Sequence, residues 1–374
     1  MKEKIKSLCN RWFITAFSGM AQGLFCTLIA GTIIKTIGEK ISSFTSLGGV
    51  LILIGQIASI LTGAGIGAGM ATYLKAPRLV VFSAIVAGFI GAYAEQVMGA
   101  TILYNSISVS LDGSMNSVVA LLSKGLPGNP ISAYVCALMA IELGSLVQGK
   151  TKLDILLVPL TCIFSAYVGS FVAIPFIWLI KVLSEGIDIA TGAMPFLMGI
   201  VIAVIMGILL TMPTSSAAIW ASIATGVTTY NMYLAGGAAV VGCACHMVGF
   251  AVASYRENGV GGLVSQGLGT SMLQIPNIMK KPIIMLPMII SSAICGPLAT
   301  CVFKLLCNAS GGGMGTSGLV GLFGVIAVEG QNPILMWFGI VLLLFVLPAI
   351  LNLAISEFMR KKGWIKFGDM KLED

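Results

Sequence analysis

Two short polar segments, each built around Gly-Thr-Ser, hold the residues of this sequence that are best suited to bind a solute. They are GLGTSMLQIPNI at 267–278 and GMGTSGLVG at 313–321. Hydroxyl and amide groups both donate and accept hydrogen bonds, so a cavity lined with them can hold a small polyhydroxyl or amide-bearing solute. The candidate binding residues of the two segments are Thr270, Ser271, Gln274, Asn277, Thr316 and Ser317.

A third polar cluster follows Pro213 and adds Thr214 and Ser215 to the candidates. A single serine or threonine in a membrane helix can return its hydroxyl to a carbonyl of the preceding turn, so helix packing is the alternative. Pro276, within the first segment, removes a helical hydrogen bond and frees a carbonyl. Three such clusters in one chain favour the polar lining of a solute pathway.

Two carboxylates and a histidine are further candidates for the solute site. Glu142 lies twelve residues after Pro130, near the middle of an apolar stretch. A charge at the bilayer centre costs at least about 2.5 kcal/mol, so it is usually paired or lines a pathway. The alternatives for Glu142 are a protonated carboxyl in a helix contact and a position at the membrane boundary. Glu329, in AVEGQNP, is either a solute ligand or a carboxylate at the aqueous boundary.

His246 is the single histidine of the chain. It is either a packed, hydrogen-bonded group, or a donor to a solute hydroxyl that can also take a proton near neutrality. The sequence Cys243-Ala-Cys245-His246 provides too few ligands for a structural zinc site. We therefore predict no metal and no cofactor. No catalytic residue is assigned.

The composition identifies an integral membrane protein. Of the 374 residues, 57% are hydrophobic and only 9% are charged, and the mean hydropathy is +1.01. A soluble domain carries roughly 25% charged residues. The apolar runs are long and continuous, which predicts an all-α polytopic fold rather than a barrel. The basic ends, 1–11 and 357–374, place both termini in the cytoplasm and require an even number of spans.

We predict about ten transmembrane helices. Residues 212–231 and 311–333 are too polar or too glycine-rich for ordinary spans and are predicted as re-entrant hairpins, and 260–278 is expected to be broken in a similar way. Residues 100–129 form a predicted external polar loop. Similarity between 74–94 and 279–299 suggests an internal repeat. The predicted spans are 12–34, 47–73, 79–99, 130–149, 153–180, 194–212, 233–254, 260–278, 283–306 and 333–356.

Four segments carry a resemblance to a known family: 128–160, MPTSSAAI at 212–219, GLGTSMLQIPNIMKKP at 267–282 and GMGTSGLVG at 313–321. The sequence resembles the membrane component EIIC of bacterial phosphotransferase systems (PTS). It is most similar to the standalone IIC-like branch that includes the regulator of perfringolysin O. The resemblance extends from the first span to the last and implies a single permease domain over 1–374, a homodimer with re-entrant hairpins.

The resemblance also implies that a histidine and a hairpin glutamate contact the hydroxyls of a sugar. His246 and Glu329 would occupy those positions here. The usual hairpin sequence Gly-Ile-Thr-Glu is replaced by Ala-Val-Glu-Gly, so Glu142 is an alternative to Glu329. The chain holds no phosphoryl-carrier site, so separate cytoplasmic IIA and IIB proteins would supply any phosphorylation.

These observations predict a sugar permease of a bacterial cytoplasmic membrane that works by alternating access. Two alternatives stay open from the sequence. One is a membrane-embedded sensor or regulator that binds a ligand without moving it. The other is an ion-coupled transporter of another small metabolite, with Glu142 as the coupling group. No basic, aromatic-rich patch indicates a nucleic-acid partner.

Overall fold

The computed structural model describes residues 7–8, 10–42, 44–98, 128–212, 216–225 and 227–372. Throughout these ranges the secondary structure is helical, with turns and no β-strand, which confirms the all-α prediction. Thr214, Ser215 and nearly all of the predicted external loop lie outside the described residues. The chain divides into two compact units, Met1–Val182 and Leu183–Asp374.

The first unit is built from apolar helices. A bend of 53° at Leu61 separates its second and third helices, so the predicted span 47–73 is two helices rather than one. The helices are α1 (Asn10–Ile41), α2 (Leu47–Ile60), α3 (Thr62–Tyr73), α4 (Arg78–Ala92), α5 (Pro130–Val147) and α6 (Asp154–Ala193), the last of which contributes residues to both units.

Glycines allow the helices of the first unit to approach closely. A Cβ atom added to Gly23 of α1 would lie 2.2 Å from the carbonyl oxygen of Gly65 of α3, well inside contact distance. A Cβ added to Gly67 would lie 1.9 Å from the carbonyl oxygen of Ala84 of α4. Apolar burial gives little drive for association between helices in lipid, so close backbone packing of this kind is what stabilises the unit.

Glu142 of α5 holds the start of α1 against α5. Its carboxylate accepts hydrogen bonds from Nε of Arg11, at 2.8 Å, and from the indole N–H of Trp12, at 3.1 Å. The hydroxyl of Tyr134, two turns earlier on α5, donates to the backbone carbonyl of Trp12. The carboxylate is therefore paired, as expected for a charge within an apolar helix.

The second unit surrounds one buried helix. Among its described helices, α9 (Tyr230–Ala253) is the most enclosed, with 94% of its most apolar window buried. The other helices are α7 (Pro195–Thr211), α8 (Ser216–Ala224), α10 (Tyr255–Val264), α11 (Ile275–Lys280), α12 (Pro282–Val302), α13 (Val320–Ile326) and α14 (Pro333–Lys361).

Small residues on α9 make this burial possible. A Cβ added to Gly242 would lie 2.0 Å from the carbonyl oxygen of Ala203 on α7, and one added to Gly237 would lie 1.7 Å from that of Leu305. Val240, Val241 and Ala244 of the same helix are fully buried in the core of the unit. The sequence GGAAVVGCAC is therefore the packing surface of a central helix.

The predicted count of ten spans is not confirmed. Within the described residues, six helices are long and apolar enough to cross a membrane, or up to seven when the bent pair α2 and α3 is one span. The predicted spans 79–99 and 194–212 form helices of 15 and 17 residues, short of the roughly 20 that a crossing needs. The predicted span 260–278 is interrupted at Thr270, where the backbone is extended.

The two predicted hairpin segments are not continuous helices. Among the described residues of 212–231, α8 is followed by the first two residues of α9, and 311–333 begin as a series of turns before the short helix α13. Their re-entrant placement in the membrane stays a prediction, as does the internal repeat.

Replacing Gly242 with alanine tests the close approach of α7 and α9. The added methyl group would overlap backbone atoms of Ala203, so we expect Gly242→Ala to lower the free energy of unfolding by roughly 1–3 kcal/mol. The matched control is Gly186→Ala in α6, where no atom lies within 4 Å of the added Cβ. That change should be neutral or stabilising by up to about 1 kcal/mol, since alanine favours helix. Denaturant unfolding in detergent measures both, and equal stability of the two variants would contradict the packing described.

Replacing Glu142 with glutamine tests the contact between α1 and α5. The Glu142 side chain is 31% exposed, so we expect Glu142→Gln to lower the free energy of unfolding by only about 1 kcal/mol. A double-mutant cycle with Arg11→Met should show a favourable coupling between the two residues. Glu185→Gln, at an exposed carboxylate with no ion pair in the described part of the chain, is the control and should change nothing. Absence of coupling in the cycle would show that the pair does not stabilise the unit.

Candidate functional site

The first Gly-Thr-Ser segment interrupts a helix. The π-helical turn Ser265–Gly269 follows α10, and Thr270 then adopts an extended conformation with φ −159° and ψ 140°. A 3-10 turn, Ser271–Gln274, precedes α11. Thr270 caps this turn, because its hydroxyl accepts the backbone N–H of Met272 at 3.2 Å. The break predicted within 260–278 is therefore confirmed.

The second Gly-Thr-Ser segment is folded by glycines in the left-handed region. Gly315 has φ +56° and Gly318 has φ +51°, conformations that glycine adopts without steric cost. Leu319 follows with φ +60°, which is unfavourable for a residue with a side chain. The chain is thereby turned so that Thr316 is buried while Ser317 stays partly exposed.

The two segments are bonded to each other. The hydroxyl of Thr316 donates to the carbonyl of Gly267 at 2.6 Å, and that of Ser317 donates to the carbonyl of Gly269 at 2.9 Å. Both carbonyls belong to the last turn before the break, where a helix has no internal partners for them. We call this pair of contacts the Gly-Thr-Ser bridge. The second segment therefore supplies hydroxyl donors to two carbonyls of the first segment that have no partner within their helix.

Ser216 connects the third polar cluster to the same place. Its hydroxyl donates to the carbonyl of Gly313, at the start of the second segment, at 2.7 Å. Thr214 and Ser215 themselves are not among the described residues. Their part in the site stays a prediction.

A buried hydrogen-bonded triad lies next to the break. The hydroxyl oxygen of Thr211 lies 2.9 Å from Nδ1 of His246 and 3.0 Å from the hydroxyl oxygen of Ser271. All three residues have no exposed surface. Thr211 is the last residue of α7, His246 lies in the middle of α9, and Ser271 follows the extended Thr270, so the triad ties three elements together.

His246 is enclosed on its other side. A Cβ added to Gly207 would lie 2.5 Å from the imidazole Cδ2 and 2.8 Å from Nε2, so only glycine leaves room for the ring. Nε2 has no hydrogen-bond partner in the described structure. His246 thus contacts the polar site through Thr211, a residue that the sequence analysis missed. The available signal was its position directly before the polar cluster at Pro213.

Gln274 and Asn277 bond to the protein itself. Gln274 donates to the side chain of Gln266 at 2.8 Å and to the carbonyl of Met370 at 2.9 Å. Asn277 donates to the side chain of Gln274 and to the carbonyl of Lys371, both at 2.9 Å. These amides join the segment after the break to residues near the C-terminal end of the chain. A solute contact by either residue stays a prediction.

Each candidate carboxylate is described within its own unit. Glu329 is exposed in the turn after α13, and its neighbour Val328 packs on Leu234 near the start of α9. Leu234 lies about 18 Å along the helix from His246, at 1.5 Å per residue. Glu142 belongs to the first unit, where Arg11 and Trp12 occupy its carboxylate.

The polar groups of the bridge and the triad are uncharged apart from the titratable imidazole. Hydroxyls and backbone carbonyls make the contacts given above, and no Asp, Glu, Lys or Arg side chain of the described chain donates to or accepts from them. In the same ranges, no three His, Cys, Asp or Glu residues cluster as metal ligands.

Comparison with known proteins identifies the family. The family model described as "Phosphotransferase system, EIIC" matches residues 14–372, which covers nearly the whole of both units. No match was found among curated proteins. The family match confirms the resemblance noted from the Gly-Thr-Ser segments, while membership of the branch with the perfringolysin O regulator stays a prediction. The chain therefore belongs to the EIIC family of the phosphotransferase system and is a multi-pass membrane component of sugar transport.

Proposed function

We propose that this protein is the permease of its phosphotransferase system and moves a sugar, or a similar small polar solute, across the cytoplasmic membrane by alternating access. The observation that carries the proposal is the Gly-Thr-Ser bridge. Non-helical backbone within a membrane is tolerated where it is buried in protein or lines a water-filled cavity. Broken helices of this kind form the solute sites of many transporters.

The surroundings of the bridge support a cavity beside it. A Cβ added to Gly269 would meet no atom within 4 Å, so the break faces open space. Thr270 and Ser317 are both partly exposed next to it. We assign these two hydroxyls to direct contact with the solute. Ser271 and Thr316 would hold the backbone of the break in place from its buried side.

His246 acts in this proposal through the triad. It has no exposed surface, and its Nδ1 is bonded to Thr211, so it fixes the position of Ser271 instead of reaching the solute. Gln274 and Asn277 have a comparable supporting role on the other side of the break. The carboxylates of Glu142 and Glu329 stay predictions for the solute site and are not needed for it.

The remaining parts of the proposal concern orientation and partners. Both chain ends carry excess lysine and arginine, which supports cytoplasmic termini. Separate IIA and IIB proteins would deliver the phosphoryl group to the solute. The protein would act as a homodimer, as the family resemblance implies.

A panel of sugars tests the proposal directly. We expect the detergent-solubilised protein to bind at least one sugar saturably, as measured by calorimetry. Ser317→Ala removes one bond of the bridge and one solute contact, and should weaken that binding about tenfold. Ser222→Ala is the matched control, because the hydroxyl of Ser222 bonds only to the carbonyl of Ala218 in its own helix. A folded protein that binds no sugar of the panel would overturn the proposal.

Thr211 tests the role of the triad. Thr211→Val keeps the side-chain shape but leaves His246 and Ser271 buried without their partner, at a cost of about 1–3 kcal/mol in the free energy of unfolding. Thr211→Ser keeps the hydroxyl, so its affinity for sugar should stay near that of the unchanged protein. Denaturant unfolding and calorimetry measure the two effects. Equal behaviour of the valine and serine variants would show that the hydroxyl has no role.

Reconstituted vesicles separate transport from sensing. We expect the sugar to enter vesicles that contain the protein. When purified IIA and IIB proteins and a phosphoryl donor are then added outside, the sugar inside should leave through the protein and appear outside as sugar phosphate. Binding without entry would instead indicate a sensor. Entry that stops when an ion gradient is collapsed would indicate an ion-coupled transporter.

A further inference from the structure

The segment that follows α14 folds back on the protein as an ordered strap. We define the C-terminal strap as residues 362–372. It begins with a helix-ending motif in which the N–H of Gly363 bonds to the carbonyl of Arg360 and that of Trp364 to the carbonyl of Met359, both at 3.0 Å. Gly363 has φ +75°, the left-handed conformation that reverses the chain at a helix end. This motif at the end of α14 therefore reverses the chain and begins the strap.

Buried side chains and hydrogen bonds hold the inner face of the strap. Ile365 is 1% exposed and Met370 is fully buried, in a cluster with Phe250 and Met288. The carbonyl of Met370 accepts the amide of Gln274, as described above. This face therefore belongs to the core of the second unit.

An ion pair fixes the middle of the strap. The ammonium of Lys281 lies 2.6 Å from Oδ2 of Asp369, which also accepts the backbone N–H of Lys366. Partial burial alone would raise the pKa of Asp369, but these hydrogen bonds and the nearby lysine charges outweigh it and lower the pKa below its ordinary value. Asp369 is therefore ionised at neutral pH and holds the strap in place.

The outer face of the strap is basic and aromatic. Trp364 is 49% exposed and Phe367 is 76% exposed, and both rings lie among lysines. Four exposed lysines lie on the strap or on the last residue of α14: Lys361, Lys362, Lys366 and Lys371.

Three acidic groups near this face, all within the described residues, are paired inside the chain. Glu257 pairs with Arg360, Glu357 with Arg256, and Asp369 with Lys281. The four lysines make no ion pair with any residue of the described ranges. Among the described residues, the outer face therefore carries four lysine charges without an acidic partner.

We propose that the outer face of the C-terminal strap binds the headgroups of anionic phospholipids. The strap directly follows α14, a candidate membrane-spanning helix, so it emerges at the level of the headgroups. Lysine clusters at this position attract anionic lipid, and tryptophan is enriched at the same depth because its ring is amphipathic. Exposed rings among the lysines favour a lipid surface over an acidic protein in solution, since the rings then leave water.

Tryptophan fluorescence in vesicles tests the proposal. The full chain is reconstituted in phosphatidylcholine that contains, as a minor lipid, either brominated phosphatidylglycerol or brominated phosphatidylcholine. Bromine quenches tryptophan at short range, and the difference between the unchanged protein and Trp364→Phe isolates the emission of Trp364. We expect brominated phosphatidylglycerol to quench Trp364 several-fold more than brominated phosphatidylcholine. The preference should fall as salt is raised, because salt screens surface charge.

Lysine variants identify the groups responsible. Each of Lys361→Gln, Lys362→Gln, Lys366→Gln and Lys371→Gln should lower the preference for the anionic lipid, by up to about fivefold per charge. The combined variant should abolish it. The control is a triple change of exposed lysines outside the strap, Lys75→Gln, Lys150→Gln and Lys152→Gln, which should leave the quenching of Trp364 unchanged.

Two outcomes would overturn the proposal. Equal quenching by the two brominated lipids would show that the strap meets the membrane without selecting charge. Absence of quenching by either lipid would show that the outer face points to water, where an acidic protein is the occupant to look for. The salt titration uses the unchanged sequence, so the proposal can fail even where a lysine variant does not fold.

Discussion

The structure of the second unit depends on the satisfaction of backbone hydrogen bonds where a helix is interrupted inside an apolar protein. An unpaired carbonyl or N–H in such surroundings costs several kcal/mol, roughly as much as the whole margin of stability can absorb. At the break around Thr270, the hydroxyls of Thr316 and Ser317 reach across to the carbonyls of Gly267 and Gly269. This exchange lets the chain leave the helical conformation without leaving those carbonyls unpaired.

The buried helix α9 positions the triad that lies beside the break. Its glycines bring the backbones of neighbouring segments within direct contact, and this fixes the distance between Thr211 at the end of α7 and His246. The triad then fixes Ser271, the residue after the interruption. The close packing of small residues on α9 therefore also positions the polar groups of the triad.

Local features of the sequence predicted the breaks but could not predict how they pair. Glycine, proline and clustered hydroxyls mark 267–278 and 313–321 as poor helix, because these effects act within a few residues. The bond from Ser317 to Gly269 spans 48 residues and depends on how the chain is folded between them. The partner of an amide side chain is equally hard to predict from the sequence, because a backbone carbonyl and a sugar hydroxyl can both accept its hydrogen bond. The bond from Gln274 to the carbonyl of Met370 could not be predicted from the sequence for this reason, and the predicted solute contact of Gln274 stays a prediction.

Hydropathy also marked apolar stretches better than it marked the ends of helices. The span predicted as 79–99 is interrupted, because its first regular helix stops at Ala92 and a turn at Tyr93 follows. Thr211 was overlooked because a lone threonine in an apolar run normally bonds to the carbonyl four residues before it. It does so here with Gly207 at 3.2 Å and additionally meets His246 and Ser271. Such double use of one hydroxyl is visible only in three dimensions.

The contact between Gln274 and the carbonyl of Met370 has a consequence for biosynthesis, because the two residues are 96 positions apart. When Gln274 leaves the ribosome, its partner has not been translated. The segment after the interruption must wait in the translocon or the bilayer, with its amides solvated or borrowed by other groups, until α14 has been inserted. Completion of the hydrogen bonds around Gln274 is thus one of the last events in the assembly of this protein.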